Sequence, residues 1–145
     1  MMRTIVCLPV EITLAGLLCL AATGTAENRA DAPVIANLKL EPSTAPRGSR
    51  VRVHVEIFDR QGPEDVIPVL YFLREGWELL KVPVHDDGAR GDQVAGDGFY
   101  AGTIVVPVSA TVGNHWFIVS IYDHSGLRSN LLIYEFWVSG NRESI

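Results

Sequence analysis

Asp86, Asp87, Asp92 and Asp97 fall together with four glycines inside the thirteen residues from Asp86 to Gly98. Carboxylates and backbone carbonyls at this density are the donor set of a hard cation, and Ca²⁺ takes about six to eight such oxygens. The spacing matches neither an EF-hand loop nor the glycine-rich nonapeptide of calcium β-rolls. The same residues have a second use. Asp side chains accept hydrogen bonds from backbone N–H groups a residue or two ahead, and glycine supplies φ > 0, so the stretch also describes a compact system of capped turns. Turn capping is the reading the spacing favours. Asp86, Asp87, Asp92 and Asp97 stand as candidate calcium ligands beside it.

Other chemistry is thinly marked. His54, His85, His115 and His124 have no H-x-H, H-E-x-x-H or cysteine partner, and all four are expected at the solvated surface. Ser120 and Ser125 lack the Gly-x-Ser-x-Gly elbow of a nucleophile, and no pair of carboxylates is singled out for glycosidic cleavage. The expectation is a protein that is not an enzyme. The formal net charge is −5, with no basic stripe, which argues against nucleic acid and anionic membrane as partners.

The elements that must position these residues are strands. Arg50 to Phe58 alternates strictly, Val51, Val53, Val55 and Ile57 against Arg50, Arg52, His54 and Glu56, which is a strand with one wet face. Further strands are expected at Val34–Leu40, Val66–Leu73, Trp77–Val84, Phe99–Val106, Asn114–Tyr122 and Leu131–Val138, with Pro42, Pro46 and Gly48 in a loop after the first. About seven short strands and no helix imply an all-β, immunoglobulin-like Greek-key β-sandwich over residues 34–140. Ahead of it, residues 1–26 read as a signal peptide: Arg3, the apolar run Ile12 to Ala22, and small residues before Glu27. The run is too short to span a bilayer comfortably. Both cysteines, Cys7 and Cys19, belong to this leader. Residues 27–33 read as a flexible tail and residues 141–145 as a C-terminal one, so the mature chain is expected to be exported, periplasmic or secreted, with no membrane span.

The third, sixth and seventh of these strands are apolar on both faces, and in an immunoglobulin-like sandwich they share a sheet. Such a sheet is either covered outside or presents a binding surface. On the sixth strand Phe117, Val119 and Ile121 are assigned to the core, which turns Trp116, Ile118 and Tyr122 outward. Trp116, Ile118, Tyr122 and Tyr134 are therefore the candidate binding surface, for a protein partner or a second copy. Alternatives are a carbohydrate-binding module, with Trp77, Trp116 or Trp137 stacking on sugar rings, and a calcium-stabilised adhesion-type domain.

The string Asp86-Asp87-Gly88-x-x-Gly91-Asp92-x-x-Ala95-Gly96-Asp97-Gly98-x-Tyr100 resembles a signature of secreted bacterial immunoglobulin-like or fibronectin-III-like modules. A similar module occurs in calcium-activated chloride channel regulators. Val51 to Asp59 followed by Gly62, and Gly113-Asn114-His115-Trp116 through Asp123-His124-Ser125-Gly126, fit the flanks of that pattern, so the resemblance runs over about residues 34–138. It implies the sandwich fold and a secreted setting. It carries over no catalytic residue, because such modules are accessory parts of larger proteins.

Overall fold

The alternation at Arg50–Phe58 is realised as β3, whose Val51, Val53, Val55 and Ile57 are buried. In the computed structural model, which describes residues 31–74 and 79–140, β3 lies between β1 (Val34–Glu41) and β6 (Phe99–Val105), antiparallel to both. A second layer is built from β4 (Val66–Arg74), β7 (Gly113–Asp123) and β8 (Leu132–Ser139), with β7 pairing antiparallel to its two neighbours. The third, sixth and seventh expected strands thus do share a sheet. The core lies between the layers. Val53 and Val55 of one layer join Leu70, Phe72, Val119, Ile121 and Phe136 of the other in a single buried cluster. This is the all-β, immunoglobulin-like Greek-key sandwich, with eight strands among the described residues.

Two features depart from the expected strand map. The loop anticipated after the first strand contains β2 (Thr44–Pro46), which runs parallel to β8 with Ala45 buried opposite Val138. The chain therefore crosses from one layer to the other within a few residues, past a cis bond at Glu41–Pro42. The fourth expected strand, β5 (Leu79–His85), does not belong to one layer. Leu79 to Pro83 pair with β4, whereas Val84 and His85 pair with β6. The ladder is thereby continuous in the order β1-β3-β6-β5-β4-β7-β8-β2. Gly102 of β6 makes this passage possible: a Cβ there would come within 2.6 Å of the Pro83 carbonyl oxygen and 3.0 Å of Val84 Cγ1.

β1 is stitched to the second layer by side chains. Asn130 Oδ1 accepts from Ile35 N at 2.8 Å while its Nδ2 donates to Ile35 O at 2.9 Å, and Leu40 N donates to the Tyr134 hydroxyl at 3.1 Å. The loops β3–β4, β5–β6 and β7–β8 gather at one end of the sandwich. The assigned leader, residues 141–145 and Trp77 lie outside the described residues. Among those described, no helix is long and apolar enough to cross a membrane.

Candidate functional site

The Asp/Gly stretch joins β5 to β6, and its carboxylates are turned onto its own backbone. Asp86 Oδ1 accepts from Gly96 N at 2.6 Å and Asp97 N at 3.3 Å, and its Oδ2 accepts from Gly98 N at 3.0 Å. Asp92 holds Gly88 N at 2.6 Å and Val94 N at 3.4 Å, while Asp87 caps Ala89 N and Asp97 caps Phe99 N, each at 3.0 Å. Gly98, at φ 85, lies in the left-handed region, and its carbonyl receives Ile57 N at 2.9 Å, which docks the stretch onto β3. Tyr100 closes the stretch by facing the core. Burial first, and the nearby negative charge of Asp86 second, push its phenol above the ordinary value of 10.0.

Asp86, Asp92 and Asp97 do bring one oxygen each within 4.8 Å of the others. The geometry nevertheless follows the capped-turn pattern, with Asp86 at its centre. Asp86→Ala is accordingly expected to lower stability by about 2–4 kcal/mol, since three N–H groups lose a charged acceptor. Asp97→Ala, which releases one exposed N–H, should cost about 1 kcal/mol or less. Denaturant midpoints of the two variants check the order, and equal shifts would contradict a central role for Asp86.

On the outer face of the second layer, the strand register lines up Leu79, Leu73, Ile118 and Ile133 in one row across β5, β4, β7 and β8. Ile133 is 72% exposed, Leu79 50% and Ile118 42%. Trp116 and Trp137 flank the row on one side, each about half exposed, with Asn114 and Glu135 opposite them and hydrogen-bonded to each other. On the other side Tyr71 and Tyr122 meet edge to face at 5.3 Å, and Lys81 Nζ lies 5.7 Å from the Tyr71 ring centre. The assigned parity of β7 is the observed one: Val119 and Ile121 are fully buried and Phe117 packs on the core. The first layer's outer face is polar along β3, with exposed Val34, Phe58 and Phe99 at its loop end and exposed Val105 at the other.

Two expectations need correcting. Tyr134 does not join the outer face: it packs on the core beside Phe136, and its hydroxyl is taken up by Leu40 N. Strand parity explains this, because Ile133, Glu135 and Trp137 occupy the outward positions of β8. His115 is not a solvated histidine either. It shares the inward side of β7 with Phe117 and Val119, is buried, and its Nε2 lies 2.7 Å from the Thr111 carbonyl oxygen. His54, by contrast, is turned outward within 3.8 Å of Glu41.

Sequence reasoning also passed over a second acidic group. Asp59, Asp65 and Asp123 converge at the loop end of the sandwich. The signal was present in the twin Asp-x-x-Gly turns Asp59-Arg60-Gln61-Gly62 and Asp123-His124-Ser125-Gly126, whose shared end of the sandwich only the fold reveals.

No protein-family model matches the chain, and no curated protein matches it. The likeness to the module of calcium-activated chloride channel regulators therefore finds no support from these comparisons. Among solved structures, the PKD domain of an M14-like peptidase from Thermoplasmatales archaeon SCGC AB-540-F20 is similar over 75% of this chain and 97% of its own, at 13% identity and a TM-score of 0.46. The SrpA adhesin from Streptococcus sanguinis is similar over 75% of this chain and 57% of its own, at 16% identity and a TM-score of 0.49. At these values no function is carried across.

Proposed function

We propose that the protein is an exported, non-catalytic β-sandwich module that binds another polypeptide through the outer face of β4, β7 and β8. The observation that carries this is the aliphatic row Leu79-Leu73-Ile118-Ile133, bordered by the amphipathic rings of Trp116, Trp137, Tyr71 and Tyr122. An apolar centre inside a rim of aromatic and polar groups is the anatomy of a protein interface. With its neighbours the row amounts to several hundred Å², at the upper end of what a monomer leaves bare. Export rests on the leader-like composition of residues 1–26.

A photocrosslinking amino acid at Ile133 tests the surface, with one at Arg52 on the opposite layer as control. In cells making the protein, the Ile133 position is expected to give a discrete polypeptide adduct, lost in Ile118→Asp, while the Arg52 position gives none. Equal yields from both layers would overturn the assignment. A second reading rests on Trp116 and Trp137, diagonal neighbours on β7 and β8 beside Asn114 and Glu135: two rings with adjacent polar groups suit a sugar. For that reading Trp137→Ala removes binding and Ile118→Asp does not.

A further inference from the structure

Asp59 follows β3, Asp65 closes the 3-10 turn Pro63–Asp65 ahead of β4, and Asp123 ends β7. One carboxylate oxygen of each lies within 4.8 Å of those of the other two. Asp123 is 0% exposed and Asp59 8%, and Asp65 is half-buried. The Oδ2 atoms of all three are shielded from solvent and have no hydrogen-bond partner. Their Oδ1 atoms show how local the turn role is: Asp59 Oδ1 caps Gln61 N and Asp123 Oδ1 caps Leu127 N, each at 2.8 Å. Half of each of those two carboxylates is thus committed to a turn, and the other half is buried without a partner where the three acids converge.

This differs from the Asp/Gly stretch, where both oxygens of Asp86 and Asp92 are already satisfied by backbone N–H groups. A buried carboxylate oxygen without a donor bears an uncompensated desolvation cost, and three in one place repel one another as well. The backbone that holds them is fixed by separate bonds. His124 N donates to Asp65 O at 2.8 Å, Asp123 N donates to Leu127 O at 3.1 Å, and Val66 pairs with Asp123 in the β4–β7 ladder. These bonds therefore keep Asp65 beside Asp123 whatever their carboxylates do, while Asp59 is held in its own turn by Gly62 N, which donates to Asp59 O at 3.2 Å.

We propose that Asp59, Asp65 and Asp123 form a divalent-cation site, with Ca²⁺ the ion their chemistry fits. The donors are all hard oxygens, which suit Ca²⁺ and Mg²⁺ over Zn²⁺ or Cu²⁺, and irregular loop geometry suits Ca²⁺ over the stricter octahedral Mg²⁺. The ion ties the β3–β4 loop to the end of β7, and so clamps the first layer to the second. This site is independent of the outer face of β4, β7 and β8.

The test is calcium titration of the purified protein after exhaustive treatment with chelator. Calorimetry is expected to find one Ca²⁺ per chain, and about 10 mM CaCl₂ should raise the melting temperature by about 5–15 °C, reversed by chelator. Asp65→Asn and Asp123→Asn should each abolish the rise. The second keeps an oxygen acceptor for Leu127 N, so its fold survives. Asp92→Asn should retain the rise in full. The proposal fails if wild-type protein melts alike in chelator and in calcium. It fails equally if Asp92→Asn loses the calcium response and Asp65→Asn keeps it, which moves the ion to the Asp/Gly stretch.

Discussion

Val119→Asp is expected to unfold the domain, whereas Ile118→Asp, one residue earlier on the same strand, is expected to leave it folded. Val119 is fully buried opposite Phe72 and Leu132 on the inner face of the second layer. Placing a carboxylate there removes an aliphatic side chain from the core and buries a charge with no partner, a cost of several kcal/mol or more. That is comparable with the whole stability of a domain this size, about 5–15 kcal/mol. Ile118 is turned into solvent, and its replacement should change folding stability by about 1 kcal/mol or less. Circular dichroism and denaturant midpoints of the two variants separate the cases. Comparable unfolding in both would mean that another part of the chain covers the outer face.

Gly102→Val should be nearly as damaging, and for a steric reason. The strand β5 passes from one layer to the other directly against Gly102, so close that a Cβ would stand 2.6 Å from the Pro83 carbonyl oxygen. That nearest atom is backbone, which no side-chain rotation can move aside, and the methyls of Val84 and Val82 follow at 3.0 and 3.4 Å. Valine must push β5 off β6 and break the Val84–Gly102 pairing, at a cost of about 3 kcal/mol or more. Gly102→Ala should act in the same direction with a smaller shift. Gly96→Ala is the control: its Cβ would meet nothing within 4 Å, so only the left-handed φ of 76 opposes it, about 1–2 kcal/mol. If Gly102→Val proves no worse than Gly96→Ala, the close passage of β5 is not a constraint on the fold.

Local alternation made much of this legible. Arg50–Phe58 declared its strand and its faces, and the uninterrupted apolar set Phe117, Val119 and Ile121 against Ser120 assigned the inner side of β7 correctly. The same parity, carried one step further, places His115 inside and Tyr134 away from Trp137. Both errors came from weighing residue type above strand position. What stayed hidden depends on contacts between distant segments. Thr44-Ala45-Pro46 carries a proline and spans three residues, and only β8 lying alongside makes it a strand. Gly102 reads as a small residue in a strand until β5 is seen crossing it. Asp59 and Asp123 each look like ordinary turn residues, because their meeting is a property of the folded loops.

The path of residues 34–46 has a further consequence. β1 ends the first layer, β2 ends the second, and both belong to this one segment as it bends between layers. Each outer rim of the ladder is thus poorly suited to templating another strand. β1 is interrupted by a register shift between Ala36 and Lys39, with Asn37 at φ 50, and β2 offers three residues, one of them Pro46. Irregular, very short or proline-bearing rims are how β proteins resist lateral growth into fibrils. A module built this way can be kept at high local concentration without its backbone recruiting copies of itself.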